Sequence, residues 1–343
     1  MPDRQHTRLT QHHLAEHLGV AQKTISRVFT DPHLVSEAVR TRVLRAAREL
    51  GYRPNTGARA MRTGRFESVV LVQSTERTAS PMPERLIIGI DEELGQANTS
   101  LVLARLPDDR LTSDDFVPKI ARELLADGML VNYDTNIPER LIELIEHHHL
   151  PAVWINSRRA DASVRPDDLR AGDEATAALI ERGHRRILYV DFLVDHWRWV
   201  HYSRKDRRTG YRAAMSRAGL PHLEATPDEP IGDHIAFVRS MLKFHRPTAL
   251  VSYGDPEASL FIIEALRTGI DVPRQLAVVT FGATPYYCGM DVATWVVPQL
   301  EMGRTAARRL LELMHHHVPV TAPVILPLEA HHGATLLPPS TAG

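Results

Sequence analysis

Residues 19–61 read GVAQKTISRVFTDPHLVSEAVRTRVLRAARELGYRPNTGARAM, and the apolar spacing there decides how the chain begins. Just upstream, Leu14 and Leu18 stand four apart and are followed by Gly19 and Val20, the pattern of a helix closed by a glycine turn. Ile25, Val28 and Phe29 form a second short apolar face, opposite Gln22, Lys23, Ser26 and Arg27. A third helix starts at Ser36, a favoured N-cap, and its spacing buries Val39, Val43, Ala46, Ala47 and Leu50 before Gly51 ends it. A helix, a tight turn and a second helix polar on its outer face make a helix-turn-helix candidate.

Charge separates this head from the rest. Residues 1–65 hold twelve Lys or Arg against five acids, a balance of +7, within a chain of 343 residues whose net charge is -1. The remainder is therefore acidic, and a basic head on an acidic body suits a polyanion bound at one end. Gln22 and Lys23 lie at the N-terminal end of the second helix, the end that reaches base edges when a helix enters the major groove. Gln pairs with adenine and Lys donates to guanine, while Thr24, Ser26 and first-turn amides suit phosphates. Arg27, one turn on, reaches a base or a phosphate. Arg40, Arg42, Arg45 and Arg48 on the third helix suit phosphates or plain solubility.

These residues resemble the DNA-binding head of the lac-repressor family of bacterial transcription regulators. The resemblance rests on Gly19, Val20, Thr24 to Val28, Val35, Ser36, Arg40, Arg42, Val43, Glu49 to Tyr52, Pro54, Asn55, Ala58 and Arg59. Ala21 departs from the usual Ser, losing a helix cap, and Val39 from the usual Thr. The resemblance implies a head over 1–53 and a hinge helix with linker over 54–65. Asn55, Ala58, Arg59 and Met61 then contact DNA, with Met61 as the apolar wedge that kinks the minor groove. Gly57 lowers the helix propensity of that hinge by up to about 1 kcal/mol, so it is expected to fold only on DNA.

From Glu67 onward, short β-rich runs alternate with amphipathic helices, the pattern of parallel sheets covered by helices. Strands are predicted at 68–72, 100–106, 128–133, 151–156, 187–192, 249–253 and 276–281, and helices at 84–97, 114–126, 139–148, 171–182, 209–218, 236–244, 257–267 and 302–314. The runs DDLRAGDEATAALIERGHRRILYV, GYRAAMSRAGL and EMGRTAARRLLELM resemble the sensor of the same family. That implies an all-α head and hinge followed by an α/β, two-lobed, periplasmic-binding-protein-like domain over 66–343. Lobe 1 is expected over about 66–165 plus 297–322, and lobe 2 over about 166–296 plus 323–343.

In such a fold ligands bind in the crevice beyond the strand C-terminal ends. Arg207, three before Gly210, matches the family's effector-binding Arg, and the resemblance places Tyr253, Asp255, Phe281, Gly282, Met82 and Trp197 around it. Two habitual sugar-binding groups are absent: Gly254 and Asp255 stand for an Asn-Asp pair, and Phe281, Gly282 and Ala283 for an aromatic followed by two Asp. Met82 and Pro83 replace the usual entrance aromatics, while an insertion over 191–208 brings Trp197, Trp199, His201 and Tyr202. A carbohydrate-related effector is expected, and the departures suggest either an acidic sugar derivative or a degenerate pocket.

Other signals point away from chemistry. His13, Glu16 and His17 form the H-x-x-E-H of a zinc site, but on the first helix of the head and with no third ligand at a recognisable spacing. The triplets His147 to His149 and His315 to His317 end helices, where the dipole favours them. Cys288 is the one cysteine, so no disulfide framework or cysteine zinc cage is expected, and no phosphate-binding glycine loop or nucleophile elbow occurs. No cofactor, metal or enzymatic activity is expected. The residues up to Leu9 are polar and no apolar run approaches eighteen residues, so neither a secretory leader nor a membrane span is expected, and the location implied is the bacterial cytoplasm. The expected protein is a regulator, most simply a repressor, acting as a homodimer or tetramer on a pseudo-palindromic operator in double-stranded DNA. A solute-binding or carbohydrate-handling protein on the same two-lobed fold is the alternative.

Overall fold

The computed structural model describes residues 9–54, 60, 63–75, 81–106, 126–133, 137–193, 201–316 and 322–339. The chain divides into two compact units, residues 1–66 and 67–343. In the first, α1 (Gln11–Leu18), α2 (Gln22–Thr30) and α3 (Glu37–Glu49) pack around fully buried Leu14, Ile25 and Val43. Gly19 closes α1 at φ +63°, a left-handed conformation that glycine adopts without cost. Leu50 is 38% exposed: α3 ends at Glu49, and the turn that follows carries Leu50 out of the core it was expected to join.

The second unit has two lobes, each a six-stranded sheet with an apolar cluster on either face. The first sheet contains β1 (Ser68–Ser74), β2 (Ser100–Leu106), β3 (Gly128–Asn132), β4 (Ala152–Ile155) and β5 (Ser163–Pro166), all parallel, in the order β5-β4-β3-β1-β2. Helices α4 (Glu84–Gln96) and α5 (Glu139–His147) cover it. The chain crosses after Pro166 into α6 (Asp168–Glu181), β6 (Ile187–Val190), α7 (Tyr202–Arg217), β7 (Leu223–Ala225), α8 (His234–His245), β8 (Ala249–Ser252), α9 (Asp255–Arg267) and β9 (Ala277–Gly282). A small hairpin, β10 (Tyr286–Tyr287) and β11 (Met290–Asp291), leads to β12 (Ala293–Val296). The second sheet runs β12-β9-β8-β6-β7 in parallel.

The chain then returns: α10 (Gln299–His316) packs on α4 and β4 of the first lobe. Next, β13 (Val324–Leu326) pairs parallel with β5, and β14 (Glu329–His331) pairs antiparallel with β12. This corrects the expected boundary, which gave everything after residue 322 to lobe 2. Hydrogen bonds to β5 hold Val324 to Leu326 in lobe 1, and the third crossover falls after Leu326. The helix expected over 114–126 lies almost wholly outside the described residues.

Facing glycines set helix spacing in each lobe, Gly172 and Gly210 between α6 and α7, and Gly89 and Gly303 between α4 and α10. A Cβ on Gly210 of α7 would stand 2.3 Å from the Leu169 carbonyl oxygen of α6, and one on Gly303 of α10 would stand 2.3 Å from that of Leu86 on α4. Each pair meets backbone to backbone. Gly210→Ala is therefore expected to part α6 from α7 and destabilise the domain by about 1–3 kcal/mol, read by denaturant unfolding. Ordinary helix-interior behaviour would instead give a gain of up to about 1 kcal/mol.

Candidate functional site

On the head, burial of Ile25 and Val28 turns the opposite face of α2 outward, so Gln22, Lys23 and Arg27 are exposed and Thr24 and Ser26 half-buried. Ala21 offers no side-chain cap, and the positive end of the α2 dipole stays open beside Gln22 and Lys23. Arg42 donates to the Leu18 carbonyl at 3.2 Å, so it ties α3 to the end of α1, while Arg40, Arg45 and Arg48 are exposed. His13 closes a capping box with Thr10, its Nδ1 3.2 Å from the Thr10 amide nitrogen, and it is His12 that faces Glu16 at 3.2 Å. The zinc-like motif is thus part of a helix start. Asn55, Gly57, Ala58, Arg59 and Met61 lie outside the described residues.

In the second lobe the order β7-β6-β8 places the switch point between β6 and β8, and in open α/β sheets ligands bind beyond the strand C-terminal ends at such a point. Arg207 reaches that point from α7. Its Nε and Nη2 each lie 2.8 Å from Asp168 Oδ1, and its Nη1 donates to the Tyr253 carbonyl at 2.8 Å. The guanidinium lies between two rings, 4.7 Å from the Phe281 centroid and 5.1 Å from that of Tyr253. Asp168 is fully buried, and burial pushes its carboxyl above the usual range against the pull of Arg207. With Nε spent on Asp168, the outer edge of Arg207 keeps one N–H on each terminal nitrogen, the spacing that grips a vicinal diol or a carboxylate.

Asp255 opens α9 beside this group. Its Oδ1 occupies the space of a side chain on Gly282, 2.3 Å from where a Cβ would stand, and has no hydrogen-bond partner among the described residues. Burial raises its carboxyl to about 6, with Arg207 pulling the other way. Glu257, two residues on, accepts from the Phe192 amide at 3.4 Å, and burial raises it to about 7. Both folded values exceed the unfolded ones, so the stability these groups lend is full below about pH 4 and lost as pH rises through 6–7. Glu257→Gln is expected to stabilise the protein at pH 8 by about 2–3 kcal/mol and at pH 4 by nothing, read by unfolding at both.

Of the expected effector residues, the structure gathers Arg207, Tyr253, Phe281, Asp255 and Gly282. Met82 belongs to the other lobe, half-buried against its core, and the described contacts do not bring it to Arg207. Trp197 lies outside the described residues. Sequence reasoning missed Asp168, because a carboxylate in the first turn of a helix reads as a dipole partner and nothing local pairs it with a residue on α7. Among the described residues, no three His, Cys, Asp or Glu side chains converge as metal ligands, and no helix is long and apolar enough to cross a membrane.

A helix-turn-helix head followed by a two-lobed domain with a ligand crevice defines a class of DNA-binding transcription regulators whose sensor is built like a periplasmic binding protein. Comparison with known proteins narrows this. Residues 12–55 match the family described as bacterial regulatory proteins, lacI family, and residues 176–336 match the periplasmic binding protein-like domain. The regulator RegA of Clostridium saccharobutylicum is 25% identical over 315 residues, covering 88% of this chain and 91% of that one. The repressor CytR of Escherichia coli K12 is 27% identical over 322 residues, covering 91% of each. The solved lac repressor bound to ONPG shares the fold at TM-score 0.77 and 20% identity, over 96% of this chain and all of that one. The chain belongs to the lacI family of bacterial regulatory proteins. It is a DNA-binding transcriptional regulator and not an enzyme.

Proposed function

We propose that this regulator is a repressor whose operator affinity is set by a carbohydrate-related effector seated against Arg207. The observation that carries this is the buried Arg207 guanidinium itself, beside two rings and fixed on one side by Asp168, with an N–H left over on each terminal nitrogen. Rings beside a bidentate donor suit a polyol, and the same donor suits the carboxylate of an acidic sugar derivative. Relatives support a sugar: one similar protein is the ribose operon repressor of Escherichia coli K12, 25% identical over 298 residues, covering 85% of this chain and 86% of that one.

Two heads in a homodimer meet the two halves of a pseudo-palindromic operator. The surfaces available for pairing are apolar: Val102 and Leu103 on edge strand β2 with Ile87 and Ile88 on α4, and Ile263 and Leu266 on α9, all exposed. A tetramer is the larger assembly open to such a chain. Effector closure of the lobes shifts the population competent for DNA. Such a protein works in the bacterial cytoplasm, on the nucleoid when bound to DNA. Calorimetric titration of the full chain with gluconate and with glucose tests the effector: binding of gluconate alone supports the acidic form, and micromolar binding of glucose overturns it.

A further inference from the structure

The segment that carries Arg207 also grips the opposite lobe. Asn156 follows β4 of the first lobe at φ +54°, a left-handed conformation that Asn tolerates, and its amide donates to the Val164 carbonyl at 2.8 Å. Its Oδ1 accepts from Tyr202 Oη of the second lobe at 3.1 Å, and its carbonyl oxygen lies 3.4 Å from His201 Nε2. Two residues on, Arg158 pairs with Asp206 of α7, which is buried, and its guanidinium sits 5.6 Å from the Tyr202 ring centroid. Arg165 of β5 approaches the same ring at 5.9 Å.

From His201 the polar contacts run on to the effector group. Its Nδ1 lies 2.7 Å from Ser203 Oγ, which lies 3.1 Å from Tyr253 Oη, and the Tyr253 carbonyl accepts from Arg207. Burial holds the His201 imidazole down to about 4, so near neutral pH it carries one N–H. The carbonyl of Asn156 only accepts, which puts that proton on Nε2. Nδ1 then accepts from Ser203, and Ser203 accepts from Tyr253. Every donor in the run has its acceptor.

We propose that Asn156 and Arg158 of the first lobe, held by His201, Tyr202 and Asp206 of the second, form an interlobe lock that positions Tyr253 against Arg207 and sets the cleft opening before an effector binds. The lock concerns the two-lobed domain alone and stands apart from effector chemistry and from the sign of regulation. Its members act on the cleft through Tyr253 and are positioning residues. An effector that favours another lobe arrangement must work against these contacts, and one that favours this arrangement finds it prepared.

The test uses the full chain with spin labels on exposed Cys288, in the β10–β11 hairpin of the second lobe, and on a His147→Cys substitution at the exposed end of α5 in the first. Labelled chain is diluted in excess unlabelled chain, so that distances within one chain are read. Asn156→Gly keeps the left-handed backbone and removes the acceptor, and Arg158→Ala removes a side chain that is 51% exposed. The lock predicts one narrow interlobe distance without effector, which the double variant broadens or shifts by more than about 2 Å. An unchanged distribution in the double variant overturns the proposal. Should the double variant not fold, Arg158→Ala alone decides by the same reading.

Discussion

Arg207→Ala is expected to destabilise the sensor domain by about 3–5 kcal/mol at pH 8 and to abolish the effector response. The loss comes from the partner left behind. Asp168 is fully buried, both guanidinium contacts on its Oδ1 come from Arg207, and its Oδ2 has no hydrogen-bond partner among the described residues. Without the cation, the Asp168 carboxyl rises further, so the variant is penalised as pH climbs through that raised value and is nearly spared below about pH 4. Denaturant unfolding of variant and parent at pH 4 and pH 8 reads the difference. Adding Asp168→Asn should recover much of the pH 8 loss without restoring effector binding. Equal losses at both pH values would mean that Arg207 acts through packing against Phe281 and Tyr253, not through charge.

The second large effect belongs to the head. Lys23→Ala is expected to cost about 1–3 kcal/mol for each base edge that no longer receives its hydrogen bond, felt at both half-sites of a dimer, and to relax the preference at one base position. Arg45→Ala, on the exposed face of α3, should weaken all sequences alike and lower the salt dependence by about one counterion per head. Binding by each variant to a preferred site and to a scrambled one separates the two roles. A uniform loss from Lys23→Ala would remove it from base reading.

What sequence made legible follows from where apolar periodicity does the folding. The head was readable because Leu14 with Leu18, Ile25 with Val28 and Val43 with Ala46 and Ala47 each sit at helical spacing within a local three-helix core. The long strands were readable as β-rich runs. The four-residue strands β4, β6 and β8 were readable too, as continuous apolar runs, whereas β5, β7, β12, β13 and β14 were not, since they complete a sheet whose register is set by distant neighbours.

Helix α7 shows the limit most clearly. Its expected start was Thr209, yet it begins at Tyr202, because the stretch YSRKDRR has no apolar face. Arg204, Asp206 and Arg207 are buried there by pairing with Asp191, Arg158 and Asp168. Those ionic partners lie far off in the chain, so a pattern of burial by charge leaves no periodic trace. The residues proposed to meet the effector were read only through resemblance, and the groups that contact them directly, Asp168 and Ser203, or through His201, Asn156, had no signal of their own.

The central claim, that this is a sequence-specific operator-binding regulator, is tested most directly by selecting DNA from a random pool with the purified full chain at two salt concentrations. The expected result is a pseudo-palindromic motif whose binding falls steeply between about 50 and 200 mM salt. Recovery of no motif, with binding indifferent to sequence at both salts, would contradict it.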